Sequence, residues 1–139
     1  MKELDVIAAR LRDGTSLAGL LDAGFDAFEV IRRVARAYED LAPELFAAFI
    51  TTAGTAVEGR NALGDAPSLP PATRRPTITM SSTAGADQIA DELAALATLL
   101  AQRLGDAGAQ AVRESDRAAC QHATYAAADI HRLLAPGPR

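Results

Sequence analysis

Residues 16–39 read SLAGLLDAGFDAFEVIRRVARAYE. At about 100° per position, Leu17, Leu20, Leu21, Phe28, Ile31, Ala35 and Tyr38 fall on one face, with Phe25 at its margin. That is the period of an amphipathic helix, and the punctuation on either side agrees with it. Upstream, Asp13-Gly14-Thr15-Ser16 reads as a helix stop followed by an N-cap, because Gly tolerates the left-handed C′ position and Ser or Thr satisfies free N–H groups. Downstream, Asp40-Leu41-Ala42-Pro43 is a short joint with Pro where a first-turn N–H has no helical partner. Further breaks fall at Gly64–Gly85, at Gly105-Asp106-Ala107-Gly108 and at Pro136-Gly137-Pro138. The first of these holds Pro67, Pro70, Pro71 and Pro76 and predicts a long extended linker.

Between these marks the pattern predicts helices near 2–13, 16–39, 43–63, 84–104 and 107–134. The expected architecture is all-α: a bundle of four long helices plus a short N-terminal one, in a single domain over 1–135. A Pro-rich linker at 64–84 divides a three-helix part from a helical hairpin, and 136–139 form a disordered tail. Only Thr77-Ile78-Thr79-Met80 has strand character, and it is short and isolated. In the fourth helix Ile89, Leu93, Leu96, Leu100 and Leu104 make a narrow seam that Ala97 widens. In the fifth, Val112, Ala119, Ala123, Ala126, Ile130, Leu133 and Leu134 fall together. The third carries two stripes, Leu45, Phe49, Ala56 and Leu63 beside Phe46, Ile50 and Val57, and no charge from Leu45 to Val57. A helix apolar on two adjacent faces is central in a bundle or shared between subunits. The second stripe, with Val30 and Val34 and helped by Ala23 and Ala27, is the predicted interface of a homodimer.

Composition narrows the chemistry. Alanine supplies 32 of 139 residues, and many of them lie in the seams, so the helices should approach closely and bury little area per residue. Arg outnumbers Lys by 13 to one, which with the alanine excess suggests a GC-rich bacterial genome. Net charge is −4 and pI about 5.1, so neither nucleic acid nor an anionic membrane is an expected partner. Charges at Lys2, Glu3, Asp5, Arg10, Arg12 and Asp13 leave no signal-peptide core, and no stretch spans a bilayer; a cytoplasmic location is expected.

A lone Cys120 excludes an intrachain disulfide and a multi-Cys zinc site. The two histidines, His122 and His131, have alanines at their helical neighbour positions and point to opposite sides of one helix, so no metal and no cofactor are expected. Cys120 lies two positions from His122 and cannot be activated by it on a regular helix. No Gly-rich phosphate loop occurs.

The segment Arg117-Ala-Ala-Cys-Gln-His122 resembles the Arg-x4-6-His motif of HEPN ribonucleases, which are small all-α proteins that dimerise around a cleft. The resemblance covers six residues and lacks the polar residue usual after the Arg. It implies that Arg117 engages phosphate and that His122 acts on the ribose hydroxyl or the leaving group. Against it, five positions on a regular helix set the two side chains about 140° apart.

Two polar features remain. Asp116 falls within about 40° of the apolar centre of the fifth helix and needs a partner if buried. Arg60, inside the apolar stripe of the third helix, is the predicted one, forming a structural pair or lining a ligand pocket. Arg32, Arg33 and Arg36 cluster on the second helix, where Glu29 and Asp40 stand at i,i+4 spacing from Arg33 and Arg36. Arg74-Arg75 in the linker has no such partner, and Pro67–Pro70 could dock a protein partner. The leading expectation is a non-enzymatic interaction or regulatory module acting through helical surfaces or the linker. A HEPN-like ribonuclease, or a ligand-binding bundle with a pocket between the Phe25/Phe28 and Phe46/Phe49 surfaces, are the alternatives.

Overall fold

The computed structural model describes residues 1–71 and 84–135. The protein is all-α, with helices α1 (Lys2–Asp13), α2 (Leu17–Tyr38), α3 (Phe46–Gly64), α4 (Ala86–Gln110) and α5 (Glu114–Leu134). A 3₁₀ turn, Pro43–Leu45, leads into α3, with Pro at its first position. Most of the predicted Pro-rich linker, with the Thr77–Met80 strand candidate and Arg74-Arg75, lies outside the described residues, as does the 136–139 tail.

Helix boundaries follow the local chemistry. Ser16 Oγ accepts from the Gly19 N–H at 3.0 Å and caps α2. Gly14 is not left-handed as expected: its φ is −66° and its backbone extended. It is Gly because the chain turns tightly over α2, where a Cβ would meet Leu20 Cδ2 at 3.0 Å. The break expected at Gly105–Gly108 is also displaced, because α4 runs on to Gln110 and the turn is Ala111–Arg113. Two glycines cost a helix roughly 1 kcal/mol each. Against that, Leu104 and Ala107 are fully buried, and Gly108 lets α4 approach α5 so closely that a Cβ would sit 3.3 Å from that of Cys120. Val112, assigned by period to the apolar face of α5, lies in this turn and is 90% exposed.

Pairings between helices give a ring. α2 packs on α3, α3 on α5, α5 on α4 and α4 on α2, while α1 lies across α2 and α4. Leu11 and Gly14 carbonyls both accept from Arg103 of α4, and the Met1 amino group meets Glu92, so α1 and α4 run parallel. Ser68, just past α3, bonds to Asp116 in the first turn of α5, so α3 ends where α5 begins. That is the end of the bundle at which α4 finishes.

One contiguous core joins all five helices, from Leu4, Ile7 and Leu11 of α1 to Ala123, Ile130 and Leu134 of α5. The α4 seam is buried throughout, as its period predicts. Phe28 and Phe49 are fully buried, each worth about 1.5–3 kcal/mol of apolar transfer. Helix α3 packs mainly on α2 and α5, whereas α2 and α4 each meet three helices, so α3 is not the central one. Because α2 meets α1, α3 and α4, its second face of Ala23, Ala27, Val30 and Val34 is buried within the chain. Those residues, Val30 and Val34 included, are core, which corrects their assignment to an interface. Only one stripe of α3 is covered: Phe49, Ala56 and Leu63 are buried, whereas Phe46 and Ile50 stay 42% and 41% exposed.

Candidate functional site

Polar and charged side chains of the described residues gather around Glu29, around Asp116 and along a groove between α4 and α5. The first is built around Glu29 on α2, whose carboxylate is almost wholly covered. Arg32 and Arg33 follow at i+3 and i+4, and the α2–α3 packing adds Arg60 from the third helix. Arg32 Nη2 donates to Glu29 Oε1 at 2.5 Å, Arg33 Nε to the same oxygen at 3.1 Å, and Arg60 Nη1 to Oε2 at 2.6 Å. Burial alone would push this carboxyl up. Hydrogen bonds from Arg32 and Arg60, and their charges, outweigh it and hold the group at about 2. Phe25, Glu29, Arg33 and Arg60 line a recess of about 210 Å³ beside the cluster. Arg36 pairs with Glu39 at 3.6 Å and not with Asp40.

The second place is Asp116, which is buried as its helical position predicts, but not with Arg60. Its oxygens accept from the Ser68 N–H at 3.0 Å and the Ser68 hydroxyl at 2.6 Å. Those hydrogen bonds, with the charge of Arg113, hold the carboxyl below its usual range despite burial. Arg60 is committed to Glu29, so the expected Asp116–Arg60 pair is replaced by two separate polar links. Asp116 ties the segment after α3 to the start of α5, where a negative charge also suits the helix dipole. Replacing Asp116 by Ala should cost about 1–3 kcal/mol, the range for leaving buried partners unbonded. Urea unfolding measures it, and an unchanged midpoint would deny Asp116 this structural role.

The third place is a groove of about 340 Å³ between α4 and α5, floored by Leu104, Gly105, Gly108 and Cys120 and bordered by Arg117, Gln121, Thr124 and Tyr125. Arg117 thus faces a groove, but His122 is not among its lining residues, and both are exposed on α5. Within one chain they do not converge. The Cys120 thiol is buried, and burial and then the Asp116 charge push it up, so it stays protonated. His131 Nδ1 lies 2.8 Å from Thr98 Oγ1 of α4, a tie between the two helices. Among the described residues no three His, Cys, Asp or Glu side chains gather as metal ligands would, and no helix is long and apolar enough to cross a membrane.

Of the aromatic pocket expected between Phe25/Phe28 and Phe46/Phe49, the structure leaves only the Phe25 recess. Phe28 and Phe49 are core residues, and a Cβ on Gly59 of α3 would lie 2.4 Å from the Phe28 ring, so α2 and α3 close directly on each other. Comparison of the chain with protein-family models, with curated proteins and with solved structures finds no match.

Helix α3 also presents apolar surface that the described residues leave uncovered. Phe46 and Ile50 stand outward one turn apart, Val57 is half-buried further along, and Leu41 just before the helix is 66% exposed. Between them Ala47, Thr51 and Gly54 are exposed and small, and the space beyond Gly54 is open.

Proposed function

We propose that the protein is a non-enzymatic helical interaction module whose docking surface is the outward face of α3, and that its first partner is a second copy of itself. The observation that carries the reading is the uncharged run from Leu45 to Val57, with Phe46 and Ile50 each more than two-fifths exposed. The exposed positions of α5, by contrast, include Glu114, Arg117, Gln121, His122, His131 and Arg132, as a solvated helix face does. The α3 face offers about 18 Å of apolar helix at 1.5 Å per residue.

A second copy suits it on charge. Each chain carries −4, so most faces repel their own image, but a face without charges can meet itself at no electrostatic cost. Gly54 supports close approach, since nothing lies within 4 Å of where its Cβ would be. An isologous pairing would set Ile50 near the Gly54 of the partner subunit and cover Phe46 in both chains.

Ile50→Glu tests this. The substitution lies on the exposed stripe, so the fold should hold, while two buried glutamates would face each other across the interface. Sedimentation should show at least a tenfold weaker association for the variant, given that 1.4 kcal/mol is tenfold. An association equal to that of the unmodified chain would reject the α3 face as the docking surface.

A further inference from the structure

We propose that the groove between α4 and α5 is a binding site for a small aromatic carboxylate. Leu104, Gly105, Gly108 and Cys120 give it an apolar floor, and its volume of about 340 Å³ lies within the range of small-molecule sites. Among the described residues that line it, Arg117 carries the only formal charge. Arg117 is exposed on α5 and has no hydrogen bond or ion pair to any described residue. The groove is therefore complementary to a monoanion with an apolar body. A guanidinium fork meets both oxygens of a carboxylate at once, whereas a phosphate dianion would stay half-neutralised.

The other polar groups of the groove already have partners within α5. Thr124 Oγ1 donates to the Cys120 carbonyl at 2.7 Å, and Gln121 Nε2 donates to the Tyr125 hydroxyl at 3.2 Å. Tyr125 is 61% exposed, so a ring laid in the groove would cover aromatic surface that the chain leaves in water. The floor is open because α4 carries no side chain at Gly105 or Gly108. At Gly108 packing demands this, since a Cβ would stand 3.3 Å from that of Cys120. At Gly105 packing demands nothing: no neighbouring side chain or second helix lies within 4 Å of a Cβ, and glycine costs the helix about 1 kcal/mol against alanine. A side chain at 105 would fit the fold and fill the groove, so glycine there leaves room for an occupant. Every lining residue belongs to α4 or α5, so the site is separate from the outward α3 face.

The test is calorimetric titration of the full chain at neutral pH with 2-naphthoate, its uncharged analogue 2-naphthamide, and inorganic phosphate. Naphthoate should bind, naphthamide should bind at least tenfold more weakly, and phosphate should give no heat. In amide NMR spectra naphthoate should shift Gly105 and Gly108 and leave Gly54 of the α3 face in place. Arg117→Gln should weaken naphthoate at least tenfold, the scale of one charge-assisted contact. Gly105→Leu should weaken it at least as much by filling the groove, while Tm holds or rises because the new side chain meets no neighbour. Circular dichroism establishes that each variant is folded. No heat with naphthoate, equal affinity for the amide or for phosphate, shifts at Gly54 and not at Gly105, or unchanged affinity in either folded variant would overturn the proposal.

Discussion

Glu29→Ala should lower the stability of the fold by about 2–4 kcal/mol, because removing one partner of a covered ion pair strands the others. The lower part of that range allows for solvent screening of the half-exposed arginines. For a chain of this size the loss corresponds to a fall of roughly 10 °C in Tm. Without the carboxylate, Arg32, Arg33 and Arg60 become three like charges crowded on one surface. The wild-type pH profile should show the same link. A carboxyl held at about 2 against an ordinary 4.5 stabilises the folded state fully above 4.5, and that contribution is lost as pH falls from 4.5 toward 2. Thermal melts of both proteins between pH 7 and pH 3 would measure it. A Glu29→Ala variant that melts with the wild type at pH 7 would reduce the cluster to solvated surface charge.

Gly59→Ala should be at least as damaging, against the usual rule. In a helix interior Ala is favoured over Gly by about 1 kcal/mol. Here the new Cβ would lie 2.4 Å from the Cε1 and Cζ atoms of Phe28, whose ring is fully buried. Neither α2 nor the ring can withdraw without opening the core, so a net cost of about 2–4 kcal/mol is expected from overpacking. Pairing it with Phe28→Leu should recover part of that loss, since the smaller side chain vacates the space the methyl enters. Urea denaturation of the two single variants and the double measures the coupling. Equal or greater stability in Gly59→Ala alone would show that α2 and α3 are not in this close contact.

The helices were legible because their signals are local. The seam of α4, the N-cap at Ser16 and the Pro43 start each depend on residues within a turn or two. Long-range partners were not. Period alone placed Asp116 inside, yet its partner Ser68 lies in the proline-rich stretch that reads as a loose linker. Arg60 looked anomalous in an apolar stripe, and nothing in the spacing of α3 reveals that Glu29 waits opposite it. Likewise the two apolar stripes of α3 suggest a central helix, whereas the number of neighbours decides centrality, and α2 and α4 each meet three helices where α3 packs mainly on two. The glycines at 105 and 108 read as a stop because their cost is local and the packing that offsets it, against α5, is not.

Pairing through the outward α3 face is read from the molar mass of the unmodified chain. Light scattering across about 1–100 μM, the range where an interface of ordinary affinity assembles, should give twice the chain mass of 14.5 kDa. A constant 14.5 kDa over that whole range would contradict it.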